Sequence, residues 1–326
     1  MIEDRTVREV IWKKEEYTYE AAYGFVPNLC GHLHTDDRER DCMVIVPGGG
    51  YCMCVPPEAD IAASAFFKQG MNVFVLTYTT DITMSVPLKK QPLQDISRAV
   101  RFLRMHEKEY HISGRKLILC GFSAGAHVSG TLAVHFSDVE DPDPAYDAIS
   151  NRPDGVILSY PVITTGKYTH PDSIRALLGE APSEQELAYF SLEKQVSKET
   201  PPCFLWQTRE DDLVPVENSY LFAQALLEKQ IPFAHYVFPA GNHGLSIATE
   251  DFFAGNFGEE YTMEQVRNAV EAVRDGKGVR VSEKRRQELI KQFFGEDEMP
   301  EYHSDPSLKE DVGLWVKLAG VWMGRL

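Results

Sequence analysis

Ser123 stands in the pentapeptide Gly121-Phe122-Ser123-Ala124-Gly125, after the apolar run Leu117-Ile118-Leu119-Cys120 and before small residues with helical character from Ala126 to Phe136. That is the pattern of a serine held on a sharp strand-to-helix turn with its hydroxyl exposed. A strained backbone at the serine demands neighbours two before and two after that lack bulky side chains, which Gly121 and Gly125 satisfy. The first helical turn then directs unpaired backbone N–H groups at any negative charge developing beside Ser123. With Gly at roughly 7% of residues, about one chain in ten of this length would contain such a pentapeptide by chance. The strand before it, the helix after it and the remaining partners therefore decide the matter. A serine nucleophile needs a base, an acid that orients the base, and donors for an oxyanion.

The donors are expected from Pro47-Gly48-Gly49-Gly50-Tyr51, which follows the buried-strand run Cys42-Met43-Val44-Ile45-Val46. Three glycines let the backbone approach a ligand closely and turn its N–H groups inward. A phosphate-binding loop is the competing reading, but neither G-x-x-x-x-G-K-[ST] nor G-x-G-x-x-G follows. The acid is expected at Asp211, in Arg209-Glu210-Asp211-Asp212 just past the strand-like Pro202–Thr208, with Glu210 and Asp212 as local alternatives. A carboxylate at the C-terminal end of a parallel strand points into the crevice where open sheets bind ligands. The base is expected at His243, in the glycine-flanked loop Gly241-Asn242-His243-Gly244 beyond the last strand, Phe233–Phe238. The other histidines fit duller roles: His235 lies within a strand, His106 and His111 flank a helix end, and His32, His34, His170 and His303 fall in polar stretches. His127, four residues after Ser123, is placed to brace the site, not to act as base.

These groups must be positioned by alternating strands and helices. One or two edge strands are expected within residues 1–40, then strands at 42–46, 72–78, 116–122, 155–160, 202–208 and 233–238. Helices are expected at 58–68, 93–110, 126–136 and 216–229. That alternation indicates an α/β fold, a mostly parallel sheet with right-handed crossovers. Residues 137–153 are acidic and turn-rich and should be exposed. The long polar connection at about 161–200, with short helical pieces at 173–178 and 183–190, is expected to form a cap, since such connections tend to be functional. An insertion at about 250–306 should hold two charged helices, 263–274 behind a Thr262-x-x-Gln265 capping box and 283–294. A closing helix is expected at about 308–324, the whole chain forming one domain.

Composition narrows the partners. At 326 residues, with 43% apolar and 25% charged residues, the chain can bury a large core. A formal charge of −16 argues against nucleic acid or an anionic membrane as partner. The N-terminus shows no secretory signal and no apolar run approaches 18 residues, so a cytoplasmic protein is expected. Six cysteines fit reduced thiols. Cys52-Met53-Cys54 lacks a second pair at zinc-site spacing, so no metal is expected.

The stretches PGGGY (47–51), PEADIAASAFFKQGMNVFVLTY (57–78), GFSAGAH (121–127), DDLVPVENS (211–219) and GNHGLS (241–246) resemble esterase-type α/β-hydrolases related to acetyl-xylan esterases and other carbohydrate acetyl esterases. DVGLWVKLAGVWM (311–323) resembles the closing helix of that fold. The order Ser123, Asp211, His243 is also the order of that family. The resemblance implies Ser123 as nucleophile, His243 as base, Asp211 as acid, and an oxyanion hole from the N–H groups of Gly49, Gly50 and Ala124. Tyr51 and Tyr160 are expected as substrate contacts. It implies a serine carboxylesterase needing no cofactor and acting on a small ester, first an acetylated sugar or xylo-oligosaccharide. An aryl-formamide hydrolase of the kynurenine-formamidase kind or a feruloyl-type esterase is the alternative within the same chemistry; an idle-triad binding protein is the alternative outside it. Two departures are mild: Pro47 stands where many esterases carry histidine, and Ala126 replaces a common glycine. The larger departure is the 250–306 insertion, expected as a lid or as a homo-oligomer contact.

Overall fold

The structure, a computed structural model, describes residues 4–276, 281–294 and 305–326; parts of the insertion, 277–280 and 295–304, lie outside the described residues. Eight strands form one sheet: β1 (Asp4–Val10), β2 (Asn28–His34), β3 (Cys42–Val46), β4 (Asn72–Thr77), β5 (Leu117–Phe122), β6 (Gly155–Ser159), β7 (Cys203–Thr208) and β8 (Phe233–Phe238). Their order is β1-β2-β4-β3-β5-β6-β7-β8. β2 runs antiparallel to β1 and β4, and every later neighbour is parallel. The helices are α1 (Asp60–Phe67), α2 (Gln91–Met105), α3 (Ala124–His135), α4 (Pro144–Asp147), α5 (Pro171–Leu178), α6 (Glu184–Tyr189), α7 (Glu217–Glu228), α8 (Glu250–Phe253), α9 (Glu264–Arg274), α10 (Glu283–Phe294) and α11 (Trp315–Met323). Among the described residues no helix is long and apolar enough to cross a membrane.

β3 to β7 are buried along their whole length, which is why they read as continuous apolar runs. Alternate residues feed two cores. Val44, Val46, Leu119, Leu158 and Leu205 pack with α2, α3 and α7 on one face. Met43, Ile45, Ile118, Ile157, Phe204 and Trp206 pack with α1 and α11 on the other. β2 carries little strand signal because two histidines and Gly31 interrupt it. Gly31 is needed: a Cβ there would press into the Phe74 ring and Val7.

Three expectations need correction. α2 stops at Met105 instead of reaching Tyr110, because Asn72 Nδ2 donates to the Tyr110 carbonyl at 2.7 Å and the buried Tyr110 ring packs against Phe74, drawing the chain off the helix axis. The acidic 137–153 stretch is not wholly exposed. Asp141 accepts from Arg98 Nε at 2.7 Å and Nη2 at 2.5 Å, both side chains almost fully buried, since a buried guanidinium requires a partner. Finally, Thr262 and Gln265 form no capping box. Gln265 accepts from the Thr80 N–H at 2.9 Å and donates to the Thr80 carbonyl, so its side chain docks the insertion instead of capping its helix. Behind it Val266, Val270 and Val273 bury against Ile82 and Leu289.

Candidate active site

The turn from β5 into α3 puts Ser123 at φ 51°, ψ −117°, the strained geometry expected of its flanking glycines. A Cβ on Gly121 would lie 2.6 Å from Ala126 Cα, and one on Gly125 would overlap the Val46 and Pro47 carbonyls. Both are backbone contacts that no rotamer relieves, so the elbow packs directly on the end of β3.

Ser123 Oγ lies 2.8 Å from His243 Nε2. His243 Nδ1 faces both Asp211 oxygens, at 3.0 and 2.8 Å. The Asp211 side chain is fully buried and is held by N–H donors: Val214 at 2.8 Å and Leu213 at 3.1 Å on Oδ1, Gln207 Nε2 at 3.1 Å on Oδ2. The neighbouring carboxylates do other work. Asp212 accepts from the His243 backbone N–H at 3.0 Å, and Glu210 pairs with Arg209. The histidine loop is thus gripped by two consecutive aspartates, one at its ring and one at its backbone.

The glycine loop after β3 turns at Gly49 (φ +122°) and Gly50 (φ +63°). A Cβ on Gly48 would lie 2.6 Å from the Phe122 carbonyl and 2.8 Å from Ser123 Cβ, so the loop abuts the elbow. The Gly48 N–H is occupied, donating to Glu58 Oε2 at 2.6 Å. Among the described residues the Gly49 and Gly50 N–H groups have no protein acceptor, and Ala124 opens α3, where the first N–H groups lack a helical partner.

Tyr51 and Tyr160 are placed otherwise than the sequence suggested. Both are nearly inaccessible, at 1% and 2%. The Tyr51 hydroxyl donates to His127 Nδ1 at 2.6 Å, and His127 Nε2 donates to the Phe190 carbonyl at 2.9 Å. The chain tyrosine–imidazole–carbonyl ties the glycine loop to the 161–200 segment through α3. Burial drives the His127 pKa down to about 4, keeping the ring neutral. Tyr160 donates to Glu58 Oε1 at 2.6 Å and accepts from the Ser246 N–H at 3.0 Å, while its ring meets the His243 ring edge to face, the centroids 4.9 Å apart.

Glu58 is the residue the sequence hid. It is buried, and burial raises its pKa against the lowering effect of its two donors. Its carboxyl clamps the glycine loop on one oxygen and, through Tyr160, the segment after His243 on the other. In the sequence it is merely the first acid of a helical pattern. Only the fold brings residues 48, 58, 160 and 246 together. Among the described residues no group of three or more His, Cys, Asp or Glu is arranged to hold a metal ion.

The strand order, with the serine at the end of β5, defines an α/β hydrolase. Residues 33–226 match the BD-FAE family, more than half of the chain, and the chain belongs to that family. It is 66% identical over 266 residues to endo-1,4-beta-xylanase B of Butyrivibrio fibrisolvens, covering 82% of this chain and 42% of that protein. It is 29% identical over 216 residues to the acetylxylan esterase of Xylanibacter ruminicola, covering 64% of this chain and 41% of that protein. The chain thus spans about two fifths of the length of these relatives. A solved acetyl ester-xyloside bifunctional hydrolase from Caldicellulosiruptor lactoaceticus superposes with TM-score 0.71 at 32% identity, covering 83% of this chain and 97% of its own. The chain is an acetylxylan-esterase-like α/β hydrolase.

Proposed function

We propose that the protein is a serine esterase that removes acetyl groups from sugars or xylo-oligosaccharides, with Ser123 as nucleophile, His243 as base and Asp211 as the acid that orients it. The unbroken line from Ser123 Oγ through the His243 imidazole to buried Asp211 carries this reading. Ser123 Oγ attacks the acetyl carbon while His243 Nε2 takes its proton, and Asp211 stabilises the resulting imidazolium without itself being protonated. The tetrahedral oxyanion accepts from the N–H groups of Ala124, Gly49 and Gly50. His243 then returns its proton to the sugar oxygen as the C–O bond breaks. Water, deprotonated by His243, attacks the acetyl-enzyme and releases acetate. Loss of one such donor costs about 10²–10³ in kcat in comparable sites.

The relatives support the acyl and alcohol halves of the substrate. One is an acetylxylan esterase, one a xylanase, and one an acetyl ester-xyloside hydrolase. Acetyl and xylosyl groups meet on one polymer. Six unpaired cysteines support a reducing, cytoplasmic setting, in which imported oligosaccharides are the accessible substrates. The insertion turns the apolar side of α9 onto Ile82 and α10 of its own chain, which favours a lid over a homo-oligomer arm. The test is acetate release from acetylated xylo-oligosaccharides and turnover of p-nitrophenyl acetate by wild type and Ser123→Ala. Turnover should fall at least 10³-fold in the variant, and a fluorophosphonate probe should label wild type only. Equal rates, or an unlabelled wild type, reject the nucleophile and favour an idle fold.

A further inference from the structure

The segment 161–200 brings one polar pair to the catalytic loops. Ser173, in the first turn of α5, is fully buried, and its Oγ is the nearest atom, at 3.8 Å, to a Cβ built on Gly50. It therefore overlies the donor end of the glycine loop. His170, at the N-cap of α5, holds its Nδ1 2.8 Å from that same Oγ. Among the described residues Ser173 Oγ has no other partner, so its hydroxyl donates to Nδ1, which assigns the ring proton to Nε2. Nε2 has no protein partner among the described residues and is not sealed from solvent. The half-buried ring is thus fixed at one nitrogen and open at the other.

We propose that His170 is a substrate-contacting residue that reads the alcohol half of the ester, its Nε2–H donating to a free sugar hydroxyl beside the acetylated position. This rests on the carbohydrate-ester reading above. With the acetyl oxygen among the N–H groups of Gly49, Gly50 and Ala124, the leaving oxygen must face His243 Nε2. The sugar then lies on the His243 side of the acyl group, where His170 is near enough for the charge of His243 to act on its ring. The imidazole suits the task because it stays neutral: burial first, and then the charge of nearby His243, lower its pKa. A neutral donor selects a hydroxyl without competing for the proton that His243 must shuttle. Once a bound alcohol covers Nε2–H, leaving that donor without a partner also disfavours an alcohol lacking the hydroxyl.

Comparing two substrates tests the assignment. Acetylated xylo-oligosaccharide has hydroxyls beside its esters; p-nitrophenyl acetate has none. The readout is the ratio of kcat/KM for the sugar ester to that for the aryl ester. His170→Phe keeps ring bulk and removes the donor, and the ratio should fall about fivefold to tenfold, the size of one lost hydrogen bond. His170→Gln restores an N–H and should recover most of the ratio, whereas Ser173→Ala, which frees the ring, should give an intermediate fall. Thermal melting of each variant checks that it is folded. An unchanged ratio in folded His170→Phe overturns the assignment, as does failure of Gln to restore it. Failure of the wild type to release acetate from the sugar ester overturns the carbohydrate reading and this proposal with it.

Discussion

Replacing Glu58 by Gln isolates the clamp between the glycine loop and the histidine loop. The carboxyl accepts two hydrogen bonds of 2.6 Å, from the Gly48 N–H and the Tyr160 hydroxyl. A carboxamide of the same shape keeps one acceptor and turns an NH2 donor toward the other partner. One buried donor is then left facing a donor, at a cost of about 1–3 kcal/mol. Unfolding entropy of about 2.1 cal/mol/K per residue makes 2 kcal/mol equivalent to a Tm fall of roughly 3 °C for a chain of this size. The catalytic effect should be larger than that modest loss suggests. Gly48 precedes both glycine donors, and Tyr160 holds Ser246 three residues past the base, so both loops lose a common reference point. Displacements approaching 1 Å cost about 10² in rate, and kcat for p-nitrophenyl acetate should fall between about 10- and 100-fold. The pH dependence has a definite sign. Because burial raises the Glu58 pKa above 4.5, ionisation is harder in the folded than in the unfolded state. Its contribution to stability is full below pH 4.5 and is lost as pH rises through the folded pKa. Gln does not titrate, so the stability advantage of wild type over Glu58→Gln should narrow from pH 4 to pH 7. Calorimetry across that range, with steady-state kinetics on the same preparations, tests both parts. A variant that melts lower yet turns over at the wild-type rate refutes the clamp.

Two further outcomes follow from the same geometry. Gly125→Ala places a Cβ on the Val46 and Pro47 carbonyls; because both are backbone, α3 must shift off β3, and the variant should lose at least 100-fold in kcat/KM or fail to accumulate as folded protein. His127, neutral and buried with its pKa down at about 4 against 6.5 unfolded, contributes stability that is full above pH 6.5. That contribution is lost as pH falls toward 4, about 3 kcal/mol in all; urea midpoints of His127→Gln should therefore show a shallower acid slope than wild type between those values.

Much of the architecture was legible because buried parallel strands announce themselves. Cys42–Val46, Asn72–Thr77 and Cys203–Thr208 are buried on both faces, and the first and last run into the glycine loop and the Asp211 turn. The elbow was legible for a related reason: a strained serine tolerates only glycine at 121 and 125, so its packing is recorded in local sequence. Asp211 and His243 were readable as candidates from their places just past strand ends. What one-dimensional order could not settle was which of three adjacent carboxylates meets the imidazole; the turn that lets the Val214 and Leu213 N–H groups bind Asp211 settles it. Gln265 was equally opaque, since a glutamine three residues after a threonine caps a helix only when no stronger partner is near, and Thr80 is one.

By itself, the sequence determined the layer order, the strained serine and the residue types proposed for catalysis, all of which depend on local periodicity and on glycines that admit no substitute. The tertiary structure decided which polar groups became partners: Glu58 with Gly48 and Tyr160, His127 with Tyr51 and the Phe190 carbonyl, His170 with Ser173. The physical reason is burial. A polar side chain taken from water must find a partner wherever the fold presents one, and those partners lie up to 102 residues away, beyond the reach of any local pattern.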